Sequence, residues 1–87
     1  MHILFAKQFK KAYARLPKPL KRQCDERLML FERDAYHPLL NNHLLHEPYS
    51  GCRSINVTGD YRAIFYYETT DVIRFIIVGT HHELFGT

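Results

Sequence analysis

The chain has 87 residues, 46% of them hydrophobic and 24% charged, with a formal net charge of +3. That is the length of a single domain spanning residues 1–87 and the composition of a folded soluble protein, which excludes a disordered chain, a coiled coil and a solenoid. No apolar run approaches the ~20 residues that cross a bilayer. The charges of MHILFAKQFKK follow a short apolar stretch, the reverse of a secretory leader, so a cytoplasmic location with no membrane partner is expected.

His2-Ile3-Leu4-Phe5-Ala6 is short and apolar and reads as a first strand. Phe9, Ala12, Tyr13 and Leu16 then recur at helical spacing, with lysines filling the other face. Pro17-Lys18-Pro19 ends that helix, and Pro19 fits the first turn of a second, where its missing N–H costs nothing. Leu20, Cys24, Leu28 and Phe31 mark one face of this second helix, which runs to about Arg33. So short a turn makes the two helices an antiparallel hairpin. Residues 34–51 carry His37-Pro38, Asn41-Asn42, Glu47-Pro48 and Ser50-Gly51, all breaker signals, and read as a long loop of the kind that often carries function.

Three strands follow: Cys52–Val57, Tyr61–Tyr67 and Val72–Val78. The turn signals Thr58-Gly59-Asp60 and Thr69-Thr70-Asp71 make them an antiparallel meander. The tail from Gly79 to Gly86 is a loop or one helical turn. The expected architecture is α+β, a two-helix hairpin packed on a small antiparallel β-sheet. Cys24 and Cys52 match no metal or redox spacing and read as reduced thiols.

Charge is unevenly spread. Residues 1–36 hold nine Lys/Arg against four acids, whereas residues 37–87 hold three Arg against five acids and five of the six histidines. A basic front suits a polyanion or an acidic protein as partner, though composition alone favours the solvated side of two amphipathic helices.

No P-loop, nucleophile elbow or zinc-ligand array is present, so candidate chemistry rests on polar residues in the long loop and at strand ends. Arg53 and Arg62 lie in strands, where a guanidinium must reach solvent, bind an anion such as phosphate through its planar fork, or pair with Glu68 or Asp60. His81 and His82 follow the last strand; an imidazole there can move a proton during phosphodiester cleavage or be a plain surface residue. His43 and His46 are spaced like two ligands on a helical turn, but bare histidines without a thiol or carboxylate at useful spacing do not make a metal site. Asp60 is either a turn residue or a carboxylate that takes a proton. Phe85 either plugs the core or offers a ring on which an RNA base stacks.

Taken together, four segments resemble a known family: Leu40-Asn41-Asn42-His43-x-Leu45, Gly51-Cys52-Arg53-Ser54-Ile55, Gly59-Asp60-Tyr61-Arg62-x-Ile64-Phe65 and Val78-Gly79-Thr80-His81-x-Glu83-Leu84-Phe85-Gly86. They resemble the RelE/ParE superfamily of bacterial toxins, and the tail is most similar to the YafQ branch. The resemblance covers essentially the whole chain. It implies the toxin of a type II toxin–antitoxin pair that cuts mRNA on the ribosome by 2′-hydroxyl attack, with no metal or other cofactor. The implied partners are a small acidic antitoxin, the ribosome and mRNA. By the same resemblance His43, Asp60, Arg62 and His81 are catalytic, and Arg53, Tyr61 and Phe85 bind RNA, with Asp60 or His43 as the base. Three positions depart from the YafQ pattern: Asn56 stands for a histidine, Tyr61 for a tryptophan and Ile77 for an arginine. Arg74 lies three residues before Ile77, an odd offset that should put it on the opposite face of the strand. Two other readings share the fold, a ParE-like inhibitor of DNA gyrase and a catalytically weak protein that only binds its antitoxin.

Overall fold

The computed structural model describes residues 1–86. Strand β1 (His2–Phe5) leads into helices α1 (Lys7–Ala14) and α2 (Lys18–Arg33). Pro17 caps α2 and Pro19 sits in its first turn, as the sequence predicts. The helices are tied side by side where the Tyr13 hydroxyl donates to Asp25 Oδ1 at 2.7 Å and the Lys21 ammonium lies 5.9 Å from the Tyr13 ring centre. The carboxylate beside it pushes the Tyr13 phenol up to about 12.

The predicted meander is present as β3 (Arg53–Asn56), β4 (Tyr61–Tyr67) and β5 (Val72–Thr80), numbered after a short β2 described below. Both hairpin turns use the same device. Thr58 Oγ1 accepts from the amides of Asp60 and Tyr61, and Thr69 Oγ1 from those of Asp71 and Val72.

The sheet departs from expectation in two ways. Residues 34–51 are not wholly loop: a 3-10 turn at Pro38–Leu40 is followed by an edge strand, β2 (His43–Leu44), antiparallel to β3. The left-handed Asn41 (φ 46°) turns the chain into β2, a conformation Asn tolerates better than most residues. At the far edge β1 runs parallel to β5, so the order is β1-β5-β4-β3-β2 and the sheet is mixed rather than wholly antiparallel. The crossover through the helical hairpin returns the chain in that direction. A short α3 (His81–Phe85) closes the described chain.

Alternation along the strands gives each face a separate role. The helix-side face carries Ile55, Val57, Ala63, Phe65, Ile73, Phe75 and Val78, which join Phe9, Leu16, Cys24 and Phe31 in the main core. Phe31 stands edge-on to both Phe65 and Phe75, with ring centres 4.9 and 5.4 Å away. The Cys24 thiol is fully buried there, and burial followed by the nearby Asp25 charge pushes it up to about 12.

Residues paired across the sheet share a face, so the outer face is read from the register: His43 opposite Ser54, Ser54 opposite Ile64, Asn56 opposite Arg62, Arg62 opposite Gly79. Ile64 pairs with Ile77 but Phe65 with Phe75, leaving Ile76 as a bulge residue in β5. The bulge cancels the odd offset and overturns one expectation: Arg74, opposite Tyr66, shares the outer face with Ile77.

Candidate active site

The outer face, the 41–47 segment and α3 enclose a cleft of ≈ 370 Å³. It is lined by Asn41, His43, Leu45, His46, Glu47, Ser54, Arg62, His81 and Phe85. Four of the seven residues singled out from the sequence therefore meet in one place: His43, Arg62, His81 and Phe85.

His43 is exposed, at the start of β2, with Nδ1 2.8 Å from the Asn41 carbonyl oxygen. A carbonyl only accepts, so Nδ1 carries the proton and the neutral ring keeps its lone pair on Nε2. This is the tautomer that a proton acceptor needs.

Arg62 places Nη1 at 3.1, 3.1 and 3.2 Å from the carbonyl oxygens of Thr58, Gly59 and Tyr61. The β3–β4 turn thus holds one edge of the guanidinium. Neither carboxylate considered from the sequence pairs with it, because Glu68 bonds Arg74, the one ion pair among the described residues. Arg62 consequently keeps its positive charge on the cleft wall.

His81 opens α3. Thr80 Oγ1 accepts from the Glu83 amide at 3.0 Å, and Glu83 Oε1 accepts from the Thr80 amide at 2.8 Å, a reciprocal cap. That amide is the main reason the Glu83 carboxyl is held below its usual range. The His81 amide donates to the Asp60 carbonyl oxygen at 2.9 Å, tying the tail to the β3–β4 turn. The His81 ring stands 4.8 Å from that of Phe85, which meets Tyr49 edge-on at 5.7 Å. Gly79 lets α3 approach this closely, since a Cβ there would lie 3.1 Å from Glu83 Oε1 and 3.2 Å from Leu84 Cδ2. His82 is exposed and lies outside the cleft lining.

Three of the singled-out residues stand elsewhere. Asp60 offers its backbone to His81, but its side chain is not part of the cleft wall. Tyr61 faces the helices, packing on the main core beside Ala12, Leu16 and Pro17. Arg53 shares that helix-side face; its Nε donates to Asn42 Oδ1 at 2.8 Å and its guanidinium lies 5.6 Å from the Tyr36 ring centre. It braces the 35–42 segment from behind the cleft. Conversely, the cleft contains His46, Glu47, Asn41 and Ser54, which the sequence did not mark as active-site residues. The available signals were the i, i+3 spacing of His46 from His43 and, for Ser54, its place one residue after Arg53 on an alternating strand. Among the described residues no group of three or more His, Cys, Asp or Glu is arranged to hold a metal ion.

The model of the family described as "Bacterial toxin of type II toxin-antitoxin system, YafQ" matches residues 1–86. The chain belongs to the YafQ family. No curated protein matches it. Among solved structures, YafQ from E. coli strain BL21(DE3) aligns over 97% of both chains with a TM-score of 0.82 and 24% identity. A crystal structure of the E. coli DinJ–YafQ complex aligns over 97% of both chains, with a TM-score of 0.70 and 27% identity. A YoeB/ParE toxin from Agrobacterium tumefaciens covers 93% of this chain and 99% of its own, with a TM-score of 0.76 and 14% identity, a likeness of fold alone. The chain is thus a toxin of a type II toxin–antitoxin system with the α+β fold of its relatives. Of the departures from the YafQ pattern, Ile77 lies on the outer face opposite Ile64. Arg74 shares that face but pairs with Tyr66, four residues along β4 from Arg62, about 13 Å at strand rise. It is bonded to Glu68 and does not line the cleft.

Proposed function

We propose that this YafQ-family toxin is an endoribonuclease that cuts mRNA on the ribosome. The observation that carries the reading is the cleft itself, where Arg62 without a carboxylate partner shares a wall with His43 and His81. His43 Nε2 takes the proton from a ribose 2′-hydroxyl, a role the cleft geometry favours over Asp60. The 2′-oxygen forms a bond to the adjacent phosphorus, and Arg62 stabilises the extra negative charge of the phosphorane. The bond from phosphorus to the 5′-oxygen breaks as His81 gives that oxygen a proton. The products are a 2′,3′-cyclic phosphate and a 5′-hydroxyl, and each histidine ends in the protonation state the other began in. Phe85 backs the His81 ring and offers a stacking surface to a flanking base.

The cleft is small and open, so the ribosome orients the message and supplies much of the entropic advantage. The lysines of α1 and α2 face ribosomal RNA. Those helices expose Lys7, Lys10, Lys11 and Lys18, and an acidic antitoxin laid over them would both neutralise the toxin and compete with that RNA. The toxin acts in the cytoplasm, where translation occurs. No helix among the described residues is long and apolar enough to cross a membrane.

Expression in cells followed by primer extension tests the reading. Breaks within translated messages support it, whereas intact messages with induced DNA damage would favour gyrase inhibition.

A further inference from the structure

Among the described residues, two buried side-chain polar atoms lack a hydrogen-bond partner, Ser54 Oγ and Asn56 Oδ1. Both belong to β3, two residues apart, and so project from the same outer face. Ser54 is only 1% exposed, yet it lines the cleft, directly opposite His43 in register. Arg62, opposite Asn56, lies diagonally across from it on the neighbouring strand. A buried hydroxyl without a partner is costly, and in a folded protein such a group calls for an explanation. Here the explanation lies in its position, on the floor of a cleft between a proton acceptor and an unpaired cation.

We infer that Ser54 is a substrate-binding residue whose hydroxyl donates to a non-bridging oxygen of the scissile phosphate. This rests on the nuclease reading above and deepens it. The Ser54 side chain is short and recessed, so it reaches only a ligand atom that comes down to the floor. Beside a guanidinium, that atom is an acceptor carrying negative charge. A phosphoryl group presents two such oxygens, one for the Arg62 fork and one for the hydroxyl below, and binding completes the hydrogen bonding that folding leaves unfinished.

The experiment is single-turnover cleavage of mRNA on programmed ribosomes, with a thermal melt of each variant. Ser54→Ala removes the orphaned hydroxyl, so its melting temperature should equal or exceed that of the wild type. Its cleavage rate constant should nevertheless fall about 10- to 100-fold, the loss expected for one hydrogen bond to a charged group. Ser54→Thr, which keeps the hydroxyl on a residue suited to a strand, should retain most of the cleavage. Wild-type cleavage by Ser54→Ala would overturn the inference, as would a loss matched by unfolding or a Ser54→Thr variant as impaired as the alanine. Arg62→Ala and His81→Gln run alongside. If they abolish cleavage while Ser54→Ala does not, only the role of Ser54 fails; if neither reduces it, the nuclease reading fails as well.

Discussion

Replacing Arg62 by alanine separates electrostatic catalysis from scaffolding. The guanidinium is held through Nη1 by three carbonyl oxygens of its own turn, at 3.1–3.2 Å, and by no carboxylate. Its removal therefore strands no buried counter-charge. The three carbonyls share one nitrogen, so the net structural loss is about 1 kcal/mol, the worth of an ordinary hydrogen bond. The chemical loss is larger. Deleting one group that stabilises developing negative charge costs about 10²–10³ in rate, or about 2.7–4 kcal/mol. Arg62→Ala should thus melt close to the wild type but cleave ribosome-bound mRNA at least 100-fold more slowly. Arg62→Lys keeps the charge and loses the planar fork that engages carbonyl and phosphate together, so it should fall between the two. The measurements are urea unfolding and single-turnover cleavage on the same preparations. Cleavage by Arg62→Ala within threefold of the wild type, or a stability loss that accounts for its inactivity, would refute the reasoning.

Other expectations follow from the same geometry. His81→Gln should keep α3 and its cap while cleavage falls about 10²–10⁴-fold, the range of general acid–base catalysis, and His82→Gln should change little; equal losses in the two would mean that the tail only positions RNA. Phe85→Ala should weaken cleavage with modest change in stability, whereas Tyr61→Ala, on the helix side, should lower the unfolding midpoint and spare the rate of the folded fraction. Stability should decline in alkali. The folded-state values of Cys24 and Tyr13 are raised to about 12 from ordinary values of 9.0 and 10.0. The unfolded chain loses these protons first, so the stabilisation is intact below pH 9 and is lost as pH climbs toward 12. Urea midpoints measured from pH 8 to 11 check this, and Tyr13→Phe should flatten part of the decline.

Helices and hairpins were legible because each carries a local signal: apolar residues at helical spacing in Phe9–Leu16 and Leu20–Phe31, prolines between the helices, and threonine-led turns at 58–60 and 69–71. The sheet edges were not. Strand β2 is two residues long, too short for alternation to register, and its pairing is what sets His43 opposite Ser54. The parallel pairing of β1 with β5 is a contact between the two ends of the chain that no local pattern encodes. The bulge at Ile76 is silent in an apolar run, so counting residues from Ile77 gave Arg74 the wrong face. The family motif named His43, Arg62, His81 and Phe85, at strand ends and in the tail, and the structure brings these four to one cleft. It also gathered Tyr61 and Arg53, because a motif is linear and does not record that neighbours in a strand face opposite ways.

The central claim is that the chain cleaves mRNA only where the ribosome presents it. Purified protein added to a reconstituted translation reaction, with the message analysed by primer extension and end-group chemistry, tests this most directly. Discrete cuts within the translated region that leave 5′-hydroxyl ends are expected, with the same RNA nearly intact when ribosomes are omitted. An uncut message on translating ribosomes, or equally rapid cutting of naked RNA, would contradict it.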